Sequence, residues 1–273
     1  MTQQTLRTER DAAGAYEILA AASSEAEVLA VLTDEELIAL RGNQALDPAG
    51  TPFLDASGLD RDPAAAVALR SLTARGLVQF TDEGRENEGE DLATDAPAER
   101  TAQLDRTLAG LLTLRSAPLA LVNLTRRVAD QTTEIIVYVF PHDGVLEEFV
   151  TVDGFHHFSV PTREALPARL ARYVDQNSVA GDEDGEPIDG TLSDFEGTDS
   201  DIARRLQDTR ALSVLTTADR GPDSVQVSIM ATSDAVFVMD TPQDETSSTA
   251  LREVSADTLV DLLGTALPEA AAL

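Results

Sequence analysis

Two stretches of this chain carry the same succession of patterns: four short extended runs, then one amphipathic helical run. The later copy is the clearer. Val225, Val227 and Ile229 alternate with Gln226 and Ser228, which is the two-residue period of a half-buried strand. Arg210–Ala218 precedes them as a first strand. Ala235–Thr241 follows as a denser apolar strand after a turn at Thr232–Asp234, and Thr249–Val254 is the fourth. Ser255 then opens a helix that places Leu259, Leu262, Leu263, Ala266 and Leu267 on one face.

The earlier copy runs through Leu119–Arg127, Thr132–Phe140, Val145–Val152 and Phe155–Pro161. Leu119, Leu121 and Leu124 are read as the inward residues of its first strand. Its closing helix, Arg163–Asp175, aligns Leu166, Leu170, Tyr173 and Val174, with Pro167 confined to the first turn. The distance from first strand to helix start is 45 residues in one copy (Ala117 to Thr162) and 44 in the other (Ala211 to Ser255). Turns at Pro141–Gly144 and Asp153-Gly154 are too short for crossover helices, so neighbouring strands pair antiparallel. The expected fold class is therefore α+β: two related strand-strand-strand-strand-helix halves on a largely antiparallel sheet. Ile135–Phe140 carries almost no polar group, so both faces of that strand are expected to be covered.

Additional helices precede the repeat. Ala12–Ala22 is helical by its spacing, and apolar sequence continues over Ala26–Leu32. Thr33 and Glu36 have the spacing of a capping box, which opens a helix over Asp34–Arg41 that Gly42 stops. Asn43–Leu59 reads as loop. Asp62-Pro63 marks the next helix start, Gly76 its end, and Leu77–Phe80 a short strand. Thr101–Leu114 reads as helix. Two acidic segments interrupt the pattern. Glu83–Glu99 lacks apolar residues and is read as a mobile loop, and Gly181–Asp201, with nine acids in 21 residues, as a flexible tether. The organisation is then an N-terminal helical, winged-helix-like region over residues 1–100 with its acidic loop at 83–99, a first α+β half over 101–175, an acidic linker over 176–201, and a second half over 202–273.

Composition excludes several chemistries. There is no cysteine, hence no disulfide, no thiolate catalysis and no cysteine-ligated zinc. His142 sits in a turn. His156 and His157 are adjacent on a strand, point to opposite faces and cannot share one metal, so they read as exposed or interfacial side chains. A calcium loop starting at Asp182 fails, with Pro187 where glycine and Ser193 where glutamate are needed. No dinucleotide, phosphate-loop, nucleophile-elbow or zinc-protease motif occurs. The reading is accordingly non-enzymatic, with no catalytic, cofactor-binding or metal residues, no cofactor, and no partner-binding residue that the sequence identifies. All 20 basic residues are arginine, and the net charge of −29 repels phosphate backbones, which makes nucleic acid a poor partner. Absence of lysine with abundant alanine and arginine is the signature of a GC-rich genome, actinobacterial or haloarchaeal. The polar start and the lack of any ~20-residue apolar run point to a cytoplasmic protein without a membrane span.

Three further stretches carry a family resemblance: Ala68–Val78 (ALRSLTARGLV), Thr151–Val160 (TVDGFHHFSV), and Val227–Thr241 (VSIMATSDAVFVMDT) with the helix over Ala250–Pro268. Together they resemble EspG, the cytosolic chaperone family of type VII secretion, as a pattern over most of residues 25–268. The resemblance implies two related halves on one central sheet, and binding without catalysis. Its clients would be PE/PPE-like pairs of helical secreted proteins, held by an apolar tip. That tip is expected on an uncovered part of the sheet near Pro141–Gly144. The alternative is a winged-helix regulator or adaptor, using Ala64–Phe80 with Arg61, Arg70 and Arg75.

Overall fold

The computed structural model describes residues 8–42, 48–82, 100–196, 200–218, 225–241 and 247–268. In chain order the elements are α1 (Glu9–Ala20), β1 (Val28–Thr33), α2 (Asp34–Arg41), α3 (Pro52–Ser57), α4 (Arg61–Ala74), β2 (Val78–Asp82), β3 (Arg100–Leu104) and α5 (Arg106–Arg115). The first half follows as β4 (Ala120–Val128), β5 (Gln131–Val139), β6 (Val145–Val150), β7 (Phe155–Ser159) and α6 (Leu166–Val174). Then come β8 (Ile188–Gly190), α7 (Leu192–Glu196) and α8 (Asp201–Gln207), and last β9 (Ala211–Ala218), β10 (Val225–Ala231), β11 (Val236–Asp240), β12 (Thr249–Val254) and α9 (Ala256–Thr265).

Ten of these strands form one antiparallel sheet in the order β1-β7-β6-β5-β4-β9-β10-β11-β12-β8. The order reads the same outward in both directions from the β4–β9 seam. There Leu124 lies directly opposite Leu215. Both halves gain an outer strand: β1 beside β7, and β8 beside β12. Even the chain leading into those strands matches, since Ser23 bridges to Pro161 and Gly181 to Ser255, both in parallel.

Side-chain alternation sends the two sheet faces into different cores. On the front, Ala120, Val122 and Leu124 of β4 join Ile135, Val137, Leu215, Val227 and Ile229 beneath α6 and α9. Those two helices present matching triads, Leu166, Leu170 and Val174 against Leu259, Leu263 and Leu267. On the back, Ile136, Tyr138, Leu146 and Phe158 meet α1, α2, α4 and α5 through Ile18, Leu37, Leu72, Leu108 and Leu111. Over the second half, Phe237, Met239 and Leu251 meet Phe195 of α7 and the half-buried Ile202 and Leu206 of α8.

Several expectations change. The inward residues of β4 are Ala120, Val122 and Leu124, whereas Leu121 packs half-buried on the back. Ala26–Leu32 contains the outer strand β1, and part of the segment read as loop forms α3. The helix read from Asp62 is capped two residues earlier, by Asp60, whose carboxylate accepts the Asp62 amide at 3.2 Å. Thr101–Leu104 belongs to the β2–β3 ribbon, and Asp105 caps the helix that follows. The acidic linker is no tether. Its Gly185 amide donates to the Glu253 carbonyl at 3.0 Å, and its Asp184 carboxylate accepts the Ser255 amide at 2.7 Å and the Thr258 hydroxyl at 2.9 Å. That carboxylate sits at the N-terminus of α9, where the hydrogen bonds from the Ser255 amide and then the Thr258 hydroxyl hold its pKa below the ordinary aspartate value. The acidic loop read over Glu83–Glu99 lies outside the described residues.

One outcome bears directly on function. The sheet near Pro141–Gly144 is covered. Val139 and Phe140 are buried, and a Cβ placed on Gly144 would lie 3.2 Å from Leu19 of α1. The uncovered apolar area expected there does not exist.

Candidate functional site

Two features of the sheet could carry function: a charged cluster inside the back layer, and a pair of grooves on the front. The cluster forms around β6. Alternation sends Glu148 to the back, where it is fully buried with Tyr138, Arg115 and His156. Its Oε2 accepts from Arg115 Nε at 2.7 Å and from the Tyr138 hydroxyl at 2.5 Å. Its Oε1 accepts from a terminal Arg115 nitrogen at 2.9 Å and from His156 Nδ1 at 2.7 Å. The other ring nitrogen, Nε2, meets Asp34 Oδ1 at 2.8 Å. Asp34 Oδ2 in turn accepts the Phe53 and Leu54 amides, at 2.9 and 3.1 Å. The turn residue Gly154 closes over this carboxylate. A Cβ there would lie 2.7 Å from Asp34 Oδ2, and φ is +70°, so only glycine fits.

Both imidazole nitrogens face carboxylates, so both must donate, and His156 is the imidazolium. Burial alone pulls its pKa down, but the hydrogen bonds to Asp34 and Glu148 outweigh that and raise it to about 9. For Glu148, burial raises the pKa, and Arg115 and His156 together override it, bringing it down to about 2. The cluster is then two cations against two carboxylates. It is sealed from solvent and ties elements of the back layer to one another. His156 was expected to be exposed or interfacial; it is neither. His157, one residue on, points to the front as expected from alternation.

The linkage gives a testable pH profile. The imidazolium contributes stability that is fully present below pH 6.5, the unfolded value, and is lost as pH rises through about 9. Glu148 contributes stability present above pH 4.5 and lost as pH falls toward about 2. Urea midpoints measured across pH are expected to be highest between pH 4.5 and 6.5 on this account, and to fall between pH 6.5 and 9. A midpoint that holds steady over the alkaline range would mean that His156 is neutral in the folded protein.

The grooves flank the α6–α9 pair. In the second half, Leu215, Val227, Leu262 and Ala266 line a cavity of about 550 Å³, rimmed by Asp240, Asp261 and Arg252. In the first half, Ile135, Phe149 and Tyr173 line one of about 380 Å³, rimmed by Arg169, Arg172 and His157. They occupy equivalent places. Ile135 pairs with Phe149 at the same rung from its hairpin at which Val227 pairs with Asp240. Their chemistry has diverged. The first is partly filled by an ion pair, since Arg169 holds the buried Glu147 at 2.6 Å and that carboxylate also accepts the Ser159 hydroxyl. The second has no such bar and a more acidic rim.

The winged-helix candidate is less well equipped. All three of its arginines are exposed, but Arg61 is paired with Asp55 at 2.5 Å and Arg75 with Glu36 at 2.8 Å, leaving Arg70 as the one of the three without an ion-pair partner among the described residues. Among the described residues no group of three or more His, Asp or Glu is placed to hold a metal ion, and no helix is long and apolar enough to cross a membrane.

A ten-stranded antiparallel sheet with paired front helices and a helical back layer is an EspG-like α+β fold. One solved structure that shows the likeness is that of the Mycobacterium tuberculosis type VII secretion system chaperone EspG5 in complex with a PE25–PPE41 dimer. It matches 88% of this chain and 96% of that chain, with a TM-score of 0.52 and 10% sequence identity. At that identity the likeness is one of fold. No protein-family model and no curated protein matches the chain.

Proposed function

We propose that this protein is a cytosolic, non-enzymatic chaperone that holds a pair of helical secreted proteins of the PE/PPE kind. The observation that carries the reading is the extent of the fold likeness. It spans nearly all of both chains, and the other chain was solved holding such a pair. The second-half groove supports it, being concave, apolar at its floor and polar at its rim, as ligand sites are. The client would seat an apolar residue on Leu215, Val227, Leu262 and Ala266. Basic residues at its margin would meet Asp240 and Asp261. With a net charge of −29, association is expected to be fast at low salt and to slow as salt rises.

Co-expression with the PE/PPE-like pairs of the native host tests this. A ternary complex should co-elute on size exclusion. Leu262→Asp at the groove floor should weaken it by about 30-fold, the scale of a binding hot spot near 2 kcal/mol, with the melting temperature kept. If no such pair is retained by the wild-type protein, the chaperone reading is wrong. If a pair is retained equally by Leu262→Asp and Thr265→Arg, the reading stands but the groove is misplaced.

A further inference from the structure

The two ends of the sheet are not alike. At one end, β8 is three residues long and sits among Glu183, Asp184, Glu186 and Asp189, the charged, short kind of edge that discourages strand addition. At the other end, β1 reads Val-Leu-Ala-Val-Leu-Thr, and among the described residues no strand pairs with its outer side. A register break between Val28 and Ala30 leaves Ala30–Thr33 as a regular edge. Its front-facing residues are bare. Val28 is 56% and Val31 39% exposed, and Phe155, opposite Thr33 on β7, is 44% exposed.

Beside this edge lies the first-half groove, of which Ala26 and Val28 form one wall and Phe149, His157 and Tyr173 the rest. Its rim is cationic in a strongly acidic protein. Arg172 is exposed there, with no ion-pair partner among the described residues.

We infer that the β1 edge accepts an extended peptide segment of a partner protein as an added strand. That segment is apolar at alternate positions and carries a carboxylate toward Arg172. Main-chain hydrogen bonds to the edge would supply affinity, and the Val28–Val31–Phe155 strip with its groove would supply selectivity. Charge picks the occupant. A second copy would bring a net charge of −29 and its own Glu25 and Glu27 against the same edge, so like charges oppose self-pairing. The inference stands apart from the chaperone reading, because it uses the opposite half of the front face and an extended ligand in place of a helical one.

The test is selection from a random octapeptide phage library on the full-length protein, followed by synthesis of the most enriched peptide. Enriched sequences are expected to alternate apolar and polar residues and to carry an acid at a fixed place. Amide exchange of Leu29 to Leu32 should slow when the peptide is added, and N-methylation of alternate peptide amides should abolish binding. Val31→Lys should weaken binding at least tenfold, and Arg172→Glu should shift selection from acidic to basic peptides. Both residues are exposed, so thermal unfolding should match that of the wild type. Selection without alternation, or binding that leaves the amides of Leu29 to Leu32 unprotected, would overturn the proposal. So would a dimer in solution that Val31→Lys dissolves, since that would make a second copy the occupant.

Discussion

Glu148→Gln is expected to lower the stability of this protein by about 3–5 kcal/mol, the range for breaking a fully buried charge pair from one side. The glutamine has nearly the same shape. What it lacks is the charge that faces Arg115 and His156, and one of its two acceptors becomes a donor aimed at donors. Arg115 would lose the carboxylate that now accepts two of its N–H groups, and of its two carboxylates His156 would keep only Asp34. Urea denaturation at pH 6 should show a much lower midpoint with an unchanged slope. The companion variant is Arg115→Met with Glu148→Leu, which removes both members of the ion pair. It is expected to recover much of the loss, because burying two ions costs nearly as much as their attraction returns. A cycle completed with the single variants Arg115→Met and Glu148→Leu then isolates the coupling. A Glu148→Gln protein within 1 kcal/mol of wild type would show that the cluster is not ionised in the way its geometry requires.

Gly110→Ala should also be damaging, to a smaller extent and by a different route. The helices α1 and α5 cross with their backbones in contact. A Cβ on Gly110 would lie 2.4 Å from the Gly14 carbonyl carbon and 2.6 Å from the Ala15 amide nitrogen. No rotamer relieves a clash with backbone, so the helices must part. Separation would loosen Ile18, Leu108 and Leu111, which form the back core over β5 and β6. Helix propensity favours alanine by about 1 kcal/mol, and overpacking costs typically 1–3 kcal/mol, more when the backbone has to shift. The net expectation is a loss of about 2 kcal/mol in chemical denaturation, with the pH profile unchanged because the charged cluster stays intact. An unaltered or raised melting temperature would mean that the crossing is slacker than the backbone distances indicate.

The repeated core was open to sequence reading because its strands alternate and its helices are capped by local signals. Thr33 with Glu36, and Ser255 with Thr258, are contacts within four residues, so spacing alone reveals them. The outer strands were hidden for two different reasons. Apolar residues of β1 face both ways at an open edge, so Ala26–Leu32 shows no period to distinguish it from helix. The strand β8 is held by its neighbour β12 and by the cap at Asp184, while its own sequence offers one apolar residue, Ile188. Leu104 stands four positions before Leu108, which imitates helical spacing although Asp105 starts the helix between them. The charged cluster left no trace because Asp34, Arg115, Glu148 and His156 come from four separated elements. Only the alternation of β6 and β7 could have placed Glu148 and His156 on one face, and nothing local says that Asp34 and Arg115 would meet them there.

The position of β1 has a consequence for biogenesis. This strand leaves the ribosome well before its pairing partner β7, which lies more than a hundred residues later. At ~5–20 residues per second, the apolar run Val28–Leu32 waits on the order of ten seconds before its binding edge has been made. Over that interval the nascent chain offers a naked extended segment to anything nearby. Closure of this edge of the sheet therefore waits on translation of the first half, and the rate of synthesis there sets how long an apolar stretch remains without its native mate.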